Sequence, residues 1–185
     1  SILLYLEILK TKRYETKDQL QDYLEKIDIK AHHMKLLSDH LFEYAMSDST
    51  KKQLKPQYVK ATFEPAINTL LSDLRTHGFL VESDIEWNKC FVQVNTEYIL
   101  RIFENIASNI EKYGQKTAEV RIDTQRTNKY YVFSIMNTYT VPSKKVESNG
   151  VGIDSIRNMM LEMDGICNVE RSDTTFEITL SFPIK

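Results

Sequence analysis

The stretch Glu104-Asn105-Ile106-Ala107-Ser108-Asn109-Ile110-Glu111-Lys112-Tyr113 decides how the rest of the chain is read. Asn105 and Asn109 are four residues apart, so on a helix both carboxamides lie on one face. Lys112, three residues further on, extends that face. Ile99, Phe103, Ile106 and Ile110 form the opposite, apolar stripe, which is expected to face a sheet. Asn95 or Thr96 caps the start and Gly114 stops the helix after Tyr113. A carboxamide oxygen can ligate Mg²⁺, a hard cation, without adding negative charge beside phosphates. A lysine on the same face supplies a point charge for phosphate oxygens. An ordinary amphipathic helix with a polar outer face satisfies the same spacing, so its neighbours must decide.

Downstream, Asn149-Gly150-Val151-Gly152-Ile153-Asp154 opens a second helix, Ile153–Met163, closed by Asp164-Gly165. Glycines at a helix N-terminus let backbone N–H groups approach a phosphate, and they also suit a plain turn. Between the two helices, Glu119–Thr124 and Tyr130–Asn137 alternate as a hairpin around Arg126-Thr127-Asn128, and Asn137 ends the second strand where an adenine edge could be read. Thr138–Asn149 is a polar loop. Upstream, Gln57–Phe63 alternates like a strand. Pro65–His77 reads as a helix followed by Gly78, and Phe79–Ile85 and Phe91–Val94 as short strands. Ile166–Arg171 and Phe176–Phe182 make a closing hairpin. The expected fold class is α+β: a two-layer sandwich with a mixed, mainly antiparallel sheet and one helical layer.

Residues 1–13 and 16–47 read as two helices, the second opened by the capping box Thr16-Lys17-Asp18-Gln19. Leu20, Leu24, Ile27, Ala31, Met34, Ser38, Leu41 and Ala45 form a heptad seam that wants a partner helix along its length. The short link predicts an antiparallel hairpin. Two helices alone bury little, so a homodimer forming a four-helix bundle is expected. The organisation is then hairpin 1–47, polar linker 48–56 and sandwich 57–185. With 24 basic and 26 acidic residues there is no cationic excess for nucleic acid. Cys90 and Cys167 lack metal spacing and read as free thiols. No apolar run approaches the roughly 20 residues of a membrane span, and any such segment is expected upstream. The chain begins in mid-pattern without Met, as expected for part of a longer, cytoplasmic portion.

Taken in this order and spacing, the motifs resemble the Bergerat-type ATP-binding fold shared by gyrase, the Hsp90 chaperone, the mismatch-repair protein MutL and histidine kinases. Ile102–Gly114 looks like the N box, Tyr139–Ser148 like the ATP lid, and Gly150–Met163 like the second glycine box. Residues 1–47 look like the later part of a histidine-kinase dimerisation domain. In that family a His-Glu/Asp-Leu-Arg-x-Pro-Leu-Thr block precedes a run like Ser1-Ile2-Leu3-Leu4-Tyr5-Leu6-Glu7. The junction of the two modules selects bacterial sensor histidine kinases. The resemblance implies that Asn109 holds Mg²⁺, Asn105 assists near the phosphates, Lys112 contacts phosphate and Tyr113 lines the pocket. It implies that Asn137 reads adenine, Gly150 and Gly152 cradle phosphates, and Thr175 sets a hydroxyl near the base. The cofactors are ATP and Mg²⁺. The phosphoacceptor histidine lies upstream of Ser1, leaving no catalytic residue inside the fragment, and the partner is a response-regulator receiver domain.

Two departures stand out. Where the family has Asp-x-Gly-x-Gly, this chain reads Asn137-Thr138-Tyr139-Thr140, as in a subgroup of histidine kinases. Where gyrase-like relatives place a Glu to activate water, this chain has Asn105, which favours transfer to a protein side chain over hydrolysis. His32, His33 and His40 lack the phosphoacceptor pattern, and His77 reads as a helix C-terminal residue. A non-catalytic nucleotide-sensing module of the same fold is the alternative. A serine-directed kinase of the anti-sigma-factor type lacks the long hairpin.

Overall fold

The computed structural model describes residues 2–14, 16–47, 54–139 and 151–185. They fall into two units, Ser1–Lys52 and Gln53–Lys185. The first unit holds α1 (Ile2–Lys10) and α2 (Lys17–Ser47), packed on each other. The link between them turns at Lys12, whose φ is 52°. Lys12 N donates to Leu9 O and Arg13 N to Ile8 O, a Schellman closure that satisfies the last carbonyls of α1. Thr16 Oγ1 accepts from Gln19 N at 3.2 Å, the hydroxyl half of the expected capping box. Tyr5 stacks on Tyr23 with ring centroids 5.7 Å apart. Along the heptad seam Leu20 and Ile27 are half-buried, while Leu24, Met34 and Leu41 are 51%, 62% and 68% exposed. One copy of the hairpin therefore leaves most of its apolar seam uncovered.

The second unit runs β1 (Lys55–Tyr58), α3 (Val59–Thr76), β2 (Leu80–Asp84), β3 (Phe91–Val94), α4 (Thr96–Tyr113), β4 (Glu119–Arg126), β5 (Tyr130–Thr138), α5 (Val151–Glu162), β6 (Ile166–Arg171) and β7 (Thr175–Pro183). The main sheet has the order β2-β4-β5-β7-β6, with only β2 and β4 parallel. β1 and β3 form a separate antiparallel pair, joined to the end of β7 by a bridge between Val92 and Ile184. The mixed, mainly antiparallel α+β sandwich is the one expected from the sequence.

One stretch folds differently from expectation. Gln57–Phe63 is not a strand: β1 ends at Tyr58 and α3 begins at Val59. Val59, Phe63, Ala66, Ile67, Leu70 and Leu74 are all buried, and that three-to-four spacing continues for four turns. The alternation over the first few residues was too short to compete with it. Pro65 consequently lies inside the helix, on its exposed side, where water can satisfy the carbonyl four residues earlier. Gly78, at φ 84°, closes α3: Gly78 N donates to Arg75 O and Phe79 N to Leu74 O.

The core lies between the sheet and the layer of α3, α4 and α5. Every second residue of β5 (Tyr131, Phe133, Ile135) and β7 (Ile178, Leu180, Phe182) faces it and is buried. Phe63 from α3 meets Phe133 at 4.9 Å and Phe182 at 4.8 Å, and Phe103 from α4 meets Phe133 edge-on at 5.4 Å. Removing the Phe63 ring empties the contact of four aromatic neighbours. Phe63→Ala is expected to destabilise this unit by about 3–5 kcal/mol. Urea unfolding followed by fluorescence of the single tryptophan, Trp87, measures it.

Candidate functional site

α4 is capped as expected: Asn95 Oδ1 accepts from Glu97 N at 2.9 Å and Tyr98 N at 3.3 Å. Its stripe of Ile99, Ile102, Phe103, Ile106 and Ile110 is buried. Asn105 and Asn109 are half-buried beside that stripe, Lys112 is exposed and Tyr113 is half-buried. The Lys112 ammonium lies 5.2 Å from the centre of the Tyr113 ring.

The end of α4 is fastened to the end of β5. Gly114 forms a bridge with Tyr139, and Gln115 N donates to Thr138 O at 2.8 Å. Only glycine fits at 114, because a Cβ would stand 2.5 Å from Ile110 O and 2.9 Å from Phe79 Cε1. This hook brings the end of α4, with Lys112 and Tyr113, to the strand end that carries Asn137, and Asn109 and Asn105 lie further back along the same helix. Asn137 is 3% exposed. Its Nδ2 donates to Thr138 O at 3.2 Å, the one hydrogen bond of this amide among the described residues. Asn137 Oδ1 has no hydrogen-bond partner among the described residues. The carboxamide therefore presents an acceptor, as the exocyclic amine of a purine requires.

α5 completes the surround. Asn95 N donates to Met163 Sδ at 3.3 Å, which sets the end of α5 at the start of α4, and the two helices pack together. α5 extends about 18 Å at 1.5 Å per residue from Val151 to Glu162. Gly152 sits in its first turn, where an added Cβ would meet nothing within 4 Å. Gly150 and the lid-like segment beyond Tyr139 lie outside the described residues. At its other end, Asp164 takes φ 54°, and Gly165 N donates to Met160 O.

Thr175 is not brought to this site. It pairs with Thr138 on the sheet face away from Asn137, and its Oγ1 lies 2.6 Å from Ser172 Oγ. Phe176 is the residue set directly opposite Asn137. Also absent from the sequence reading was the clamp at Tyr139, whose N donates to Thr174 O and whose hydroxyl donates to Ser172 O at 2.7 Å. It joins β5 to the β6–β7 turn, a non-local contact with no local signal.

Tyr131 donates to Glu86 O at 2.7 Å, and burial pushes its phenol up. Burial also raises both thiols, Cys90 and Cys167, which are free and protonated near neutrality. His77 Nδ1 lies 2.8 Å from Asp73 O and 3.1 Å from Glu111 Oε1, as suits a histidine at a helix C-terminus. Among the described residues no cluster of His, Cys, Asp and Glu is arranged for a metal, and no helix is long and apolar enough to cross a membrane.

No protein-family model matches the chain. Over 183 residues, 98% of its length, it is 27% identical to the sensor histidine kinase YrkQ of Bacillus subtilis (strain 168). The chain is a homologue of bacterial sensor histidine kinases. It spans 42% of the length of that relative. Among solved structures, the Acinetobacter baumannii histidine kinase AdeS matches 100% of the chain with 93% of its own, at a TM-score of 0.66 and 10% identity. Full-length ShkA in complex with AMPPNP matches 99% of the chain with 42% of its own, at a TM-score of 0.69 and 14% identity. These two likenesses are of fold, and they cover 100% and 99% of the chain.

The two glycines of the site separate contact from space. Gly114→Ala is expected to cost about 1–3 kcal/mol through overpacking. Gly152→Ala, in the open, is expected to change stability by less than about 1 kcal/mol. Thermal melting of the two variants beside the parent chain checks both.

Proposed function

We propose that the chain is the ATP-binding and dimerisation core of a two-component sensor histidine kinase. The observation that supports the reading is the hook of α4 onto β5, which fastens the helix that carries Asn105, Asn109 and Lys112 to the strand that carries Asn137. That ShkA is described with AMPPNP, an ATP analogue, supports a nucleotide in the same fold. Adenine sits with its amine toward Asn137 Oδ1. Asn109 offers its carboxamide oxygen to Mg²⁺, which when bound offsets phosphate charge. Asn105 and Lys112 steady the phosphates, Tyr113 lines the pocket, and the backbone at Gly150 and Gly152 approaches the phosphates from α5. Thr175 reaches the base only through the β6–β7 turn that it helps to brace.

The acceptor is a histidine in a part of the longer protein outside these 185 residues, and the phosphoryl group then passes to an aspartate of a response-regulator receiver domain. With Asn105 where related ATPases carry a general base, water is poorly activated and an in-line histidine is the better nucleophile. Asn137-Thr138-Tyr139-Thr140 in place of the glycine-rich adenine box favours a second reading, a nucleotide-sensing module without kinase activity.

Titration of Mg·ATP into the chain is expected to show binding that Asn109→Ala weakens by about ten- to a hundredfold, the worth of a charge-assisted contact. Equal binding by the two removes Asn109 from the site. With γ-labelled ATP the chain is expected to stay unlabelled. Labelling would place the acceptor among its own four histidines.

The uncovered seam of Leu24, Met34 and Leu41 motivates a homodimer through the hairpin. Sedimentation of residues 1–185 is expected to show self-association that residues 53–185 lack. Monomers in both at high concentration would remove the bundle.

A further inference from the structure

At one end of the inner sheet face, β6, β7 and β5 present Arg171, Phe176 and Asn137 in direct register. Residues directly opposite one another across strands project to the same face. Phe176 and Asn137 are buried there, 9% and 3% exposed. Arg171 is exposed, and its guanidinium carbon lies 5.4 Å from the centre of the Phe176 ring, in cation–π range. It makes no ion pair among the described residues.

Two strand spacings put the backbones of Arg171 and Asn137 about 10 Å apart. A guanidinium carried over Phe176 therefore approaches the carboxamide to within the breadth of a heterocycle. The backbone beneath it is held firmly. Ser172 N donates to Thr175 O at 2.9 Å, Ser172 Oγ accepts from Thr174 N and Thr175 N, and Tyr139 donates to Ser172 O.

Asn137 by itself reads little of a base. With one N–H of Nδ2 committed to Thr138 O, it can accept from one exocyclic amine and has a single N–H left, so it can donate to at most one of the two ring nitrogens beside that amine. A guanidinium carries donors only, and so can supply the donor for the other flanking nitrogen. We propose that Arg171 is a base-specificity residue: steadied on Phe176, it donates to a ring nitrogen flanking the amine that Asn137 accepts, and together they select a 6-aminopurine nucleotide. A guanine would set its carbonyl oxygen against the Asn137 acceptor.

This inference rests on the nucleotide reading, and the test separates the two. Mg·ATP, 1-deaza-ATP and 7-deaza-ATP, the analogues each lacking one flanking nitrogen, are titrated into the chain and into Arg171→Met. Methionine keeps an unbranched cover on Phe176 and removes the donors. The parent is expected to bind ATP about tenfold more tightly than one of the analogues, and Arg171→Met to bind that analogue and ATP alike. A preference that persists in the variant, or a parent that treats all three alike, overturns the role of Arg171 while leaving the nucleotide site standing. A parent that binds no ATP removes the nucleotide reading and this inference with it. Arg171 is exposed, so unchanged melting temperature is expected and shows that the variant is folded.

Discussion

Burial of one stripe of α4 against the sheet is the constraint on which the site depends. Ile99, Ile102, Phe103, Ile106 and Ile110 are all 2% exposed or less. Each such side chain stabilises by about 1.5–3 kcal/mol when removed from water. No surface contact on the opposite side of the helix competes with that. The rotation of α4 about its axis is therefore set by its apolar stripe, and Asn105, Asn109 and Lys112 are turned away from the sheet as a consequence. Their height along the sheet is set separately, by the closure at Gly114 and the bond from Gln115 to Thr138. Rotation and height together decide what the polar stripe can meet.

The same end of the molecule gathers the end of β5, the start of β7, the end of β6 and the start of α5. Asn137 suits this place for a reason that a carboxylate does not share. At 3% exposure an ionised carboxylate would need a charge partner or several donors. The carboxamide satisfies itself in part by donating to the Thr138 carbonyl, which a carboxylate cannot do. The position at the end of β5 is thereby neutral, while Lys112 and Arg171 each rest near an aromatic ring. Aromatic contact holds a cation in place without neutralising it, so both remain available to an anionic or acceptor-rich ligand.

The helix ends show where local chemistry was legible. Gly78 invited a left-handed closure, and α3 ends there. Asp164-Gly165 was read correctly as a stop, although the left-handed residue is Asp164 and not the glycine. Gly165 is needed for another reason: a Cβ would stand 2.7 Å from Met160 Cε and 3.0 Å from Ser181 O. Of the strand expected over Gln57–Phe63, Val59–Phe63 is helical, because five residues of alternation are compatible with either period until the apolar spacing is followed to Leu74. The family resemblance implied a hydroxyl near the base at Thr175, but adjacent strand residues face opposite sides, Phe176 is the one set opposite Asn137, and the Thr175 hydroxyl lies 2.6 Å from Ser172 Oγ.

The sequence by itself determined most of the element types, the apolar and polar stripes of α4, and the amide at the end of β5. These are local properties, carried by spacing, caps and alternation along a continuous stretch. Tertiary structure alone decided which ends meet. The bridge from Gly114 to Tyr139, the clamp from Tyr139 to the β6–β7 turn, and the row of Arg171, Phe176 and Asn137 all join residues from separate elements. Their register follows from how three strands and three helices share one core, because a strand shifted by one residue would turn Ile135, Asn137, Phe176 and Ile178 to the wrong face.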